Sequence, residues 1–110
     1  MATVLIDARN VLRSEWPNIP EDELVAAAAA WAAEHGHDAV IVFDGRAPEG
    51  AIGTSGESAD DWIAREVPKL DPPVWVVTSD RGLRARLPRA ERLVGGGSFA
   101  RELRRFRRPA

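Results

Sequence analysis

Three short apolar runs in this sequence each lead to an aspartate, and these acids are the first sign of chemistry in the chain. Asp7 follows TVLI, Asp44 follows AVIVF, and Asp80 follows VWVVTS. Apolar runs of this length predict buried strands of a parallel sheet. The carboxyl ends of parallel strands share one edge of the sheet, and ligands bind at that edge in such folds. We therefore expect the three carboxylates to lie close together.

Two further acids and an asparagine are expected near the same edge. Asp60 and Asp61 open the segment ADDWI, which follows a loop that leaves the edge after Asp44. Asp60 is expected to join the cluster, although only one member of an adjacent pair can point fully inward. Asn10 lies three residues after Asp7, so a helix beginning there would bring both side chains to the same end of the sheet.

Crowded carboxylates destabilise a fold unless protons or a cation neutralise them. Two of them about 5 Å apart repel by roughly 3 kcal/mol at an effective dielectric near 20, against a total stability of about 5–15 kcal/mol. The sequence has no cysteine, and oxygen ligands favour Mg²⁺ or Mn²⁺ over zinc. Such ions activate water and stabilise charge in phosphodiester hydrolysis. The acids thus predict a site for one or two Mg²⁺ or Mn²⁺ ions.

Each of these polar residues also has a simpler interpretation. An aspartate directly after a strand often caps the following helix, and Asp60 and Asp61 would interact favourably with the positive end of their own helix. Asn10 can serve as a turn or cap group. The metal hypothesis rests on the joint occurrence of the acids at the strand ends.

The elements that must position these residues alternate between strand and helix. The sequence predicts strands at residues 3–6, 39–43, 74–78 and 91–95, and helices at 8–16, 20–35, 59–70, 81–87 and 99–108. The loop at residues 45–58 carries only a weak edge-strand pattern at 51–54. We expect a single three-layer α/β domain over residues 1–110, with a mostly parallel sheet of four to five strands and helices on both faces.

Charge is divided unevenly along the chain. Residues 1–80 hold 15 acidic and 5 basic residues, whereas residues 81–110 hold 10 Arg and 2 Glu. This division predicts an acidic site beside a surface that contacts phosphates, although an arginine-rich helix can also be a solvated face. The glycines at 95–97 are expected to form a turn, Ser98 to cap the last helix, and residues 97–110 to form a basic helix and tail.

Composition argues against several classes of protein. A chain without cysteine has neither a disulfide framework nor a thiolate metal site. No apolar run is long enough to span a membrane, and the first residues enter a strand without the layout of a signal peptide. We therefore expect a cytoplasmic protein that has no contact with membranes.

Four short segments, taken in order, resemble a known family. The segments IDARN, IVFDG, SADDWI and VVTSDRGLR resemble the NYN domains of the PIN-like nuclease superfamily, in particular its YacP-like branch. GGGSFARELRR resembles the closing segment of that branch. The likeness covers nearly the whole chain, and its specificity lies in the ordered set of motifs. Ala8 stands where the branch has glycine, and the loop at residues 46–56 is short for the branch.

The resemblance implies a PIN-like, Rossmann-like fold and a Mg²⁺- or Mn²⁺-dependent endoribonuclease acting on RNA. The catalytic positions of the family fall on six residues of this chain, namely Asp7, Asp44, Asp60, Asp61, Asp80 and Asn10. Among them, Asp7, Asp60 and Asp80 match metal-binding acids, and Asp44 and Asp61 match supporting acids. The RNA partner implied in this way includes messenger RNA and ribosome-associated RNA as candidates.

Polar groups that would contact the substrate are suggested by the same likeness. Asn10 matches an asparagine that orients a ligand or phosphate near the metal. Five arginines are expected to contact RNA phosphates, and these are Arg9, Arg81, Arg84, Arg104 and Arg105. Arg81 is the strongest among them because it opens a helix at the expected active edge.

Other functions compete with the nuclease. An aspartyl-phosphate phosphatase of the haloacid dehalogenase type has a second aspartate two residues after its nucleophile, but that position holds Arg9. A receiver domain requires a lysine after a late strand, whereas Lys69 precedes one. A non-catalytic RNA-binding or scaffold module with the same fold is the remaining alternative.

Overall fold

A single sheet of five parallel strands organises the fold, which a computed structural model describes for residues 1–14 and 19–106. The end of the first predicted helix, at residues 15–16, and the last four residues of the basic tail lie outside the described part. The strands are β1 Thr3–Asp7, β2 Asp38–Phe43, β3 Ile52–Gly53, β4 Val74–Val77 and β5 Arg92–Val94. They lie side by side in the order β3-β2-β1-β4-β5. Strand order therefore reverses at β1, the central strand.

Helices cover both faces of this sheet. They are α1 Ala8–Ser14, α2 Glu21–His35, α3 Ala59–Glu66, α4 Arg81–Ala85 and α5 Gly96–Phe106. Helices α1, α2 and α5 pack on one face, and α3 and α4 pack on the other. The predicted three-layer α/β architecture with a parallel sheet is confirmed. None of the helices in the described residues is long and apolar enough to cross a membrane.

The central strand supplies apolar side chains to both layers of the core. Val4 and Ile6 of β1 pack with α1, α2 and α5, whereas Leu5 packs with α3 and α4. All three side chains are fully buried. Burial on both faces explains why this strand appears in the sequence as an uninterrupted apolar run.

Helix α2 runs the full height of the sheet. Its first turn carries three acids, which favour the positive end of a helix. It ends at Gly36, whose φ of 72° is a left-handed conformation that glycine adopts without strain. Directly after it, the Asp38 backbone N–H donates to the Ala2 carbonyl at the amino end of β1. The start of α2, about 22 Å away along 15 residues, therefore lies near the carboxyl edge of the sheet.

Several helix boundaries differ from the predictions, and α4, for example, ends at Ala85 and not at residue 87. The predicted helix at 59–70 divides into α3 and a 3₁₀ turn, Val67–Lys69, because Pro68 has no N–H for the helical ladder. Residues 96 and 97, predicted to be part of a turn, instead form the first turn of α5. Ser98 lies inside this helix and does not cap it, since the Phe99 N–H bonds to the Gly95 carbonyl.

We expect Gly96→Ala to lower the free energy of unfolding by about 1–3 kcal/mol. An added Cβ would collide with the Asn10 Oδ1 atom and lie 3.1 Å from the Ser14 Oγ atom, so α5 would have to move away from α1. The gain in helix propensity is smaller, at most about 1 kcal/mol. Chemical denaturation measures the change. Gly56→Ala is the control, because a Cβ there meets nothing within 4 Å; equal stability of the two variants would contradict this packing.

Candidate functional site

Four aspartates lie together beyond the carboxyl edge of the sheet. Asp7 ends β1, Asp44 follows β2, Asp60 lies in the first turn of α3, and Asp80 directly precedes α4. Their charges interact, because Asp60 and Asp44 both raise the pKa of Asp7, and Asp80 and Asp44 both raise the pKa of Asp60. We call these four residues the acid cluster. All four were selected from the sequence, and the structure brings them together.

Asp7 is the most buried member of the acid cluster, with 5% of its surface exposed. Burial, together with the charges of Asp60 and Asp44, raises the pKa of Asp7 from 3.8 to about 6. The Thr78 hydroxyl donates a hydrogen bond to Asp7 Oδ2 at 3.1 Å, and this bond opposes the rise. The backbone N–H of Asn10 also bonds to the carboxylate and opposes it. Asp7 is therefore held in place while its ionised form remains unfavourable.

Three members of the acid cluster also cap helices. Asp44 Oδ1 accepts from the Ala59 N–H at 2.8 Å, and Asp80 Oδ1 accepts from the Leu83 N–H at 2.8 Å. Asp7 plays the same part for α1 through the N–H three residues later. The helices thereby point their positive ends at the cluster and offset part of its charge. Helix capping and clustering were alternative interpretations of these acids in the sequence, and both occur in the structure.

Asp60 has a different position from the other three acids. Ser58, whose Oγ accepts from the Asp61 N–H at 3.1 Å, is the residue that caps α3. The carboxyl of Asp60 thus has no capping role in its own helix. Its pKa is raised first by partial burial and then by the charges of Asp80 and Asp44. Asp60 adds negative charge to an acidic edge without forming a cap.

Asp61 points to the solvent. Its Oδ1 lies 2.9 Å from Arg86 Nη1, and 58% of its side chain is exposed. The resemblance assigned Asp61 a supporting catalytic role, but the structure uses its carboxylate in an ion pair between α3 and the end of α4. Its charge still raises the pKa of Asp60, so Asp61 borders the acid cluster without being one of its four members, and its supporting role stays a prediction.

The donor chemistry of the acid cluster suits a hard divalent cation, since its side chains offer only carboxylate oxygens. Within residues 1–14 and 19–106, no group of three His, Cys, Asp or Glu side chains forms a ready-made metal site. Mg²⁺ usually keeps several of its waters and takes only one or two carboxylates directly. A Mg²⁺ ion at this edge would therefore reach these acids partly through its own waters.

Asn10 connects three elements at the carboxyl edge. Its Oδ1 accepts from the Ser79 N–H at 2.9 Å, and Ser79 Oγ accepts from the Gly96 N–H at 2.8 Å. These bonds tie α1 to the residue before Asp80 and to the start of α5. The amide oxygen of Asn10 is thus used to position the cluster, and the expected role toward a ligand stays a prediction.

The five arginines expected to bind RNA occupy three different environments. Arg9, in the first turn of α1, and Arg81, the first residue of α4, are exposed at the carboxyl edge. Arg84 instead donates from Nε to the Thr78 carbonyl at 2.8 Å, so it fixes the end of β4. Arg104 and Arg105 lie in the last turn of α5, roughly 12 Å along the helix from the edge. Arg9 and Arg81 therefore lie exposed at the edge that carries the acid cluster, whereas Arg84 is engaged by the backbone of Thr78.

Two residues of this edge were missed by the sequence analysis. Thr78 is fully buried, and its hydroxyl joins the carboxylate of Asp7 to the backbone N–H of Asp80. Arg46 is exposed two residues after Asp44, the same spacing that separates Arg9 from Asp7. That repeated spacing was the signal available for Arg46. Thr78 lies in the segment VVTSDRGLR that carries the family resemblance, and that segment was the signal available for it. Its bond to Asp7 depends on the pairing of β1 with β4.

A solved structure shares the fold of this chain. The crystal structure of a mutant of Rae1 (YacP) from Bacillus subtilis matches it with a TM-score of 0.76. The match covers 96% of this chain and 76% of that chain, with 21% sequence identity. No family model and no curated protein matches the sequence. The three-layer α/β fold expected from the sequence is therefore shared with a solved structure.

Proposed function

We propose that this chain is a PIN-like endoribonuclease that depends on a divalent cation and uses the acid cluster as its active site. The observation that carries the proposal is the gathering of four aspartates at one edge of the sheet, where burial first, and then the charges of neighbouring acids, raise the pKa of Asp7 to about 6 and that of Asp60 above its ordinary value. Helix capping accounts for Asp7, Asp44 and Asp80 one at a time, but it does not account for Asp60, which adds its charge to theirs without forming a cap. The motif resemblance to NYN domains and the fold shared with Rae1 (YacP) support this class of reaction.

Asp7, Asp60 and Asp80 would hold one or two Mg²⁺ or Mn²⁺ ions, partly through water. When bound, such ions neutralise charge and supply an activated water for attack on a phosphodiester. The protein holds two of these acids in fixed positions. The Thr78 hydroxyl donates to the carboxylate of Asp7 and fixes it. The carboxylate of Asp80 accepts from the Leu83 N–H, and the Asp80 backbone N–H donates to the Thr78 hydroxyl. Positions fixed before the substrate binds lower the reorganisation required during reaction.

RNA phosphates would be bound by arginines on either side of the cluster. Arg9 lies beyond β1, where its Nη2 donates to the Asp44 carbonyl at 3.5 Å, and Arg81 begins α4 beyond β4. Guanidinium groups bind phosphate oxygens with two parallel hydrogen bonds and position the chain without reading its sequence. Arg104 and Arg105 are farther away and would contact the backbone of a longer RNA.

The cation dependence is tested by a cleavage assay on labelled single-stranded RNA. We expect cleavage in Mg²⁺ or Mn²⁺, none in excess chelator, and a higher melting temperature when the cation is added, because it binds the native state preferentially. Asp80→Asn is the inactive control, since asparagine also caps helices. Cleavage that persists in chelator at an undiminished rate would refute the proposal.

We expect Arg81→Gln to weaken RNA binding by about three- to tenfold for all sequences and to reduce the slope of log affinity against log salt by about one. The reason is the loss of one phosphate contact at the edge of the acid cluster. Fluorescence anisotropy over a range of salt concentrations measures both quantities. Arg89→Gln is the matched control, because Arg89 is exposed beside Val74, at the amino edge of the sheet. An equal effect of both variants would place RNA elsewhere.

A non-catalytic RNA-binding module is the second candidate function. It is favoured by the capping bonds of Asp7, Asp44 and Asp80 and by the lack of a ready-made metal site in the described residues. Such a module would retain RNA uncut in Mg²⁺ and would melt at the same temperature with and without the ion. Messenger and ribosome-associated RNA stay predictions for the partner, as does a cytoplasmic location.

A further inference from the structure

An open cleft of about 430 Å³ lies between the first turn of α2 and the loop after β2, in which Arg46 follows Asp44 of the acid cluster by two residues. It is lined by Glu21, Asp22, Arg46, Ala47 and Pro48. It is open to solvent over most of its boundary, so a ligand there would lie against the walls and would not be enclosed. The volume is sufficient for a nucleobase with part of its sugar.

The position of this cleft is fixed by contacts on both sides. Arg46 follows Asp44 by two residues, and an extended span of that length is at most about 7 Å. The same loop packs on α2 farther along, since a Cβ on Gly50 would lie 3.3 Å from Val25 Cγ1. A group in the cleft would thus belong to a nucleotide close to the phosphate at the acid cluster.

The two walls of the cleft carry opposite charges. Glu21 and Asp22 of α2 are exposed on one side, and Arg46 is exposed on the other. Among the described residues, no ion pair within 4 Å joins these walls. Acids at a helix start stabilise the helix by themselves, but that role does not require a guanidinium across an open cleft. The walls leave both charges available to a ligand.

We propose that this cleft is a guanine-selective base pocket for the RNA substrate, an inference that rests on the proposed function. Guanine presents two adjacent donors, N1–H and the 2-amino group, which match the two oxygens of one carboxylate. Its acceptors O6 and N7 lie farther round the ring and match a guanidinium fork. Ala47 and Pro48 would contact the face of the base.

The other bases fit these walls less well. Adenine and cytosine place a ring nitrogen acceptor next to their amino group, and a carboxylate repels that acceptor. Uracil has a single N–H between two carbonyl oxygens. The acidic wall therefore favours guanine, and the basic wall strengthens that choice through the acceptors of the same base.

The test compares the binding of short fluorescent single-stranded RNAs in chelator, where metal-dependent cleavage cannot occur. The probes are oligoadenosines with one central guanosine, inosine or adenosine, and inosine lacks only the 2-amino group of guanosine. The acid cluster repels all three probes equally, so the ratios of their affinities measure the base preference of the cleft. We expect the guanosine probe to bind at least about fivefold tighter than the adenosine probe, with inosine between them.

Two double variants locate the preference. Glu21→Gln with Asp22→Asn should reduce the guanosine preference to within about twofold, whereas Glu34→Gln with Asp38→Asn should retain it. The second pair makes the same change in charge at the far end of α2. Equal binding of all probes by the wild type, or a preference that survives the first double variant, would overturn the pocket.

The result of this binding test can be distinguished from the result of the RNA-cleavage assay. Guanosine-selective binding without cation-dependent cleavage would support the pocket and refute the nuclease. Cleavage with no base preference at any position would refute the pocket and leave the nuclease intact.

Discussion

Replacement of Asp60 by asparagine is expected to abolish RNA cleavage and to make the metal-free protein more stable. Loss of one group that stabilises charge in the transition state lowers rates by about 100-fold or more. Stability should rise because burial and the charges of Asp80 and Asp44 raise the pKa of Asp60, so its ionised form is unfavourable in the folded state at neutral pH. The helix cap is unaffected, since Ser58 provides it.

The matched control for this prediction is the adjacent residue. Asp61→Asn removes the same charge from the same helix and breaks an exposed ion pair with Arg86, worth about 0–1 kcal/mol. It also removes the smallest of the contributions that raise the pKa of Asp60. We expect this variant to cleave RNA within about twofold of the wild-type rate. Single-turnover cleavage in Mg²⁺ and thermal melting in chelator measure the two effects. Cleavage by the Asp60 variant at the rate of the Asp61 variant would show that the acid cluster is not the active site.

The stability of the metal-free protein is expected to fall by about 3 kcal/mol as the pH rises from about 4 to about 8, through the titration of Asp7. Its pKa is 3.8 in the reference state and about 6 in the folded state. Because the folded pKa is the higher one, the folded state binds more protons between these values. The stabilising contribution is therefore fully present below pH 3.8 and is lost as the pH passes through 6.

Urea denaturation at a series of pH values measures this loss. Asp7→Asn removes the titrating group, so its curve should be flatter than that of the wild type by about 3 kcal/mol over the same range. Mg²⁺ should reverse the wild-type loss above pH 6, because a cation near the acid cluster favours the ionised form. Parallel curves for the two proteins would mean that Asp7 titrates normally and that the cluster is not crowded.

The sequence predicted the layers of this fold because the relevant information is local. A run such as TVLI must be buried on both faces, and alanine-rich α2, with acids at its start and a glycine at its end, can only be a helix. Parallel strands bring their carboxyl ends to one edge whatever their order. The meeting of Asp7, Asp44 and Asp80 at that edge was therefore predictable without coordinates.

The tertiary structure alone decided the direction in which each side chain points. Asp60 and Asp61 are adjacent, yet one joins the acid cluster and the other pairs with Arg86, 25 positions away. Arg84 resembled a phosphate ligand in the sequence but bonds to the end of β4. These outcomes depend on the rotation of α3 and α4 against the sheet, which is set by packing with distant residues.

Gly96 and the cleft beside Arg46 also depend on tertiary contacts that the local sequence does not reveal. A sequence of three glycines is typical of a turn, and only the tertiary structure shows that a helix begins at Gly96, where the close approach of Asn10 leaves no room for a side chain. The cleft requires α2 and the loop after β2 to meet, and no local pattern encodes that meeting. Local sequence thus determined the elements and the edge that carries the acids. Contacts between residues far apart in the chain determined the arrangement of charges around that edge, because packing energy depends on both partners together.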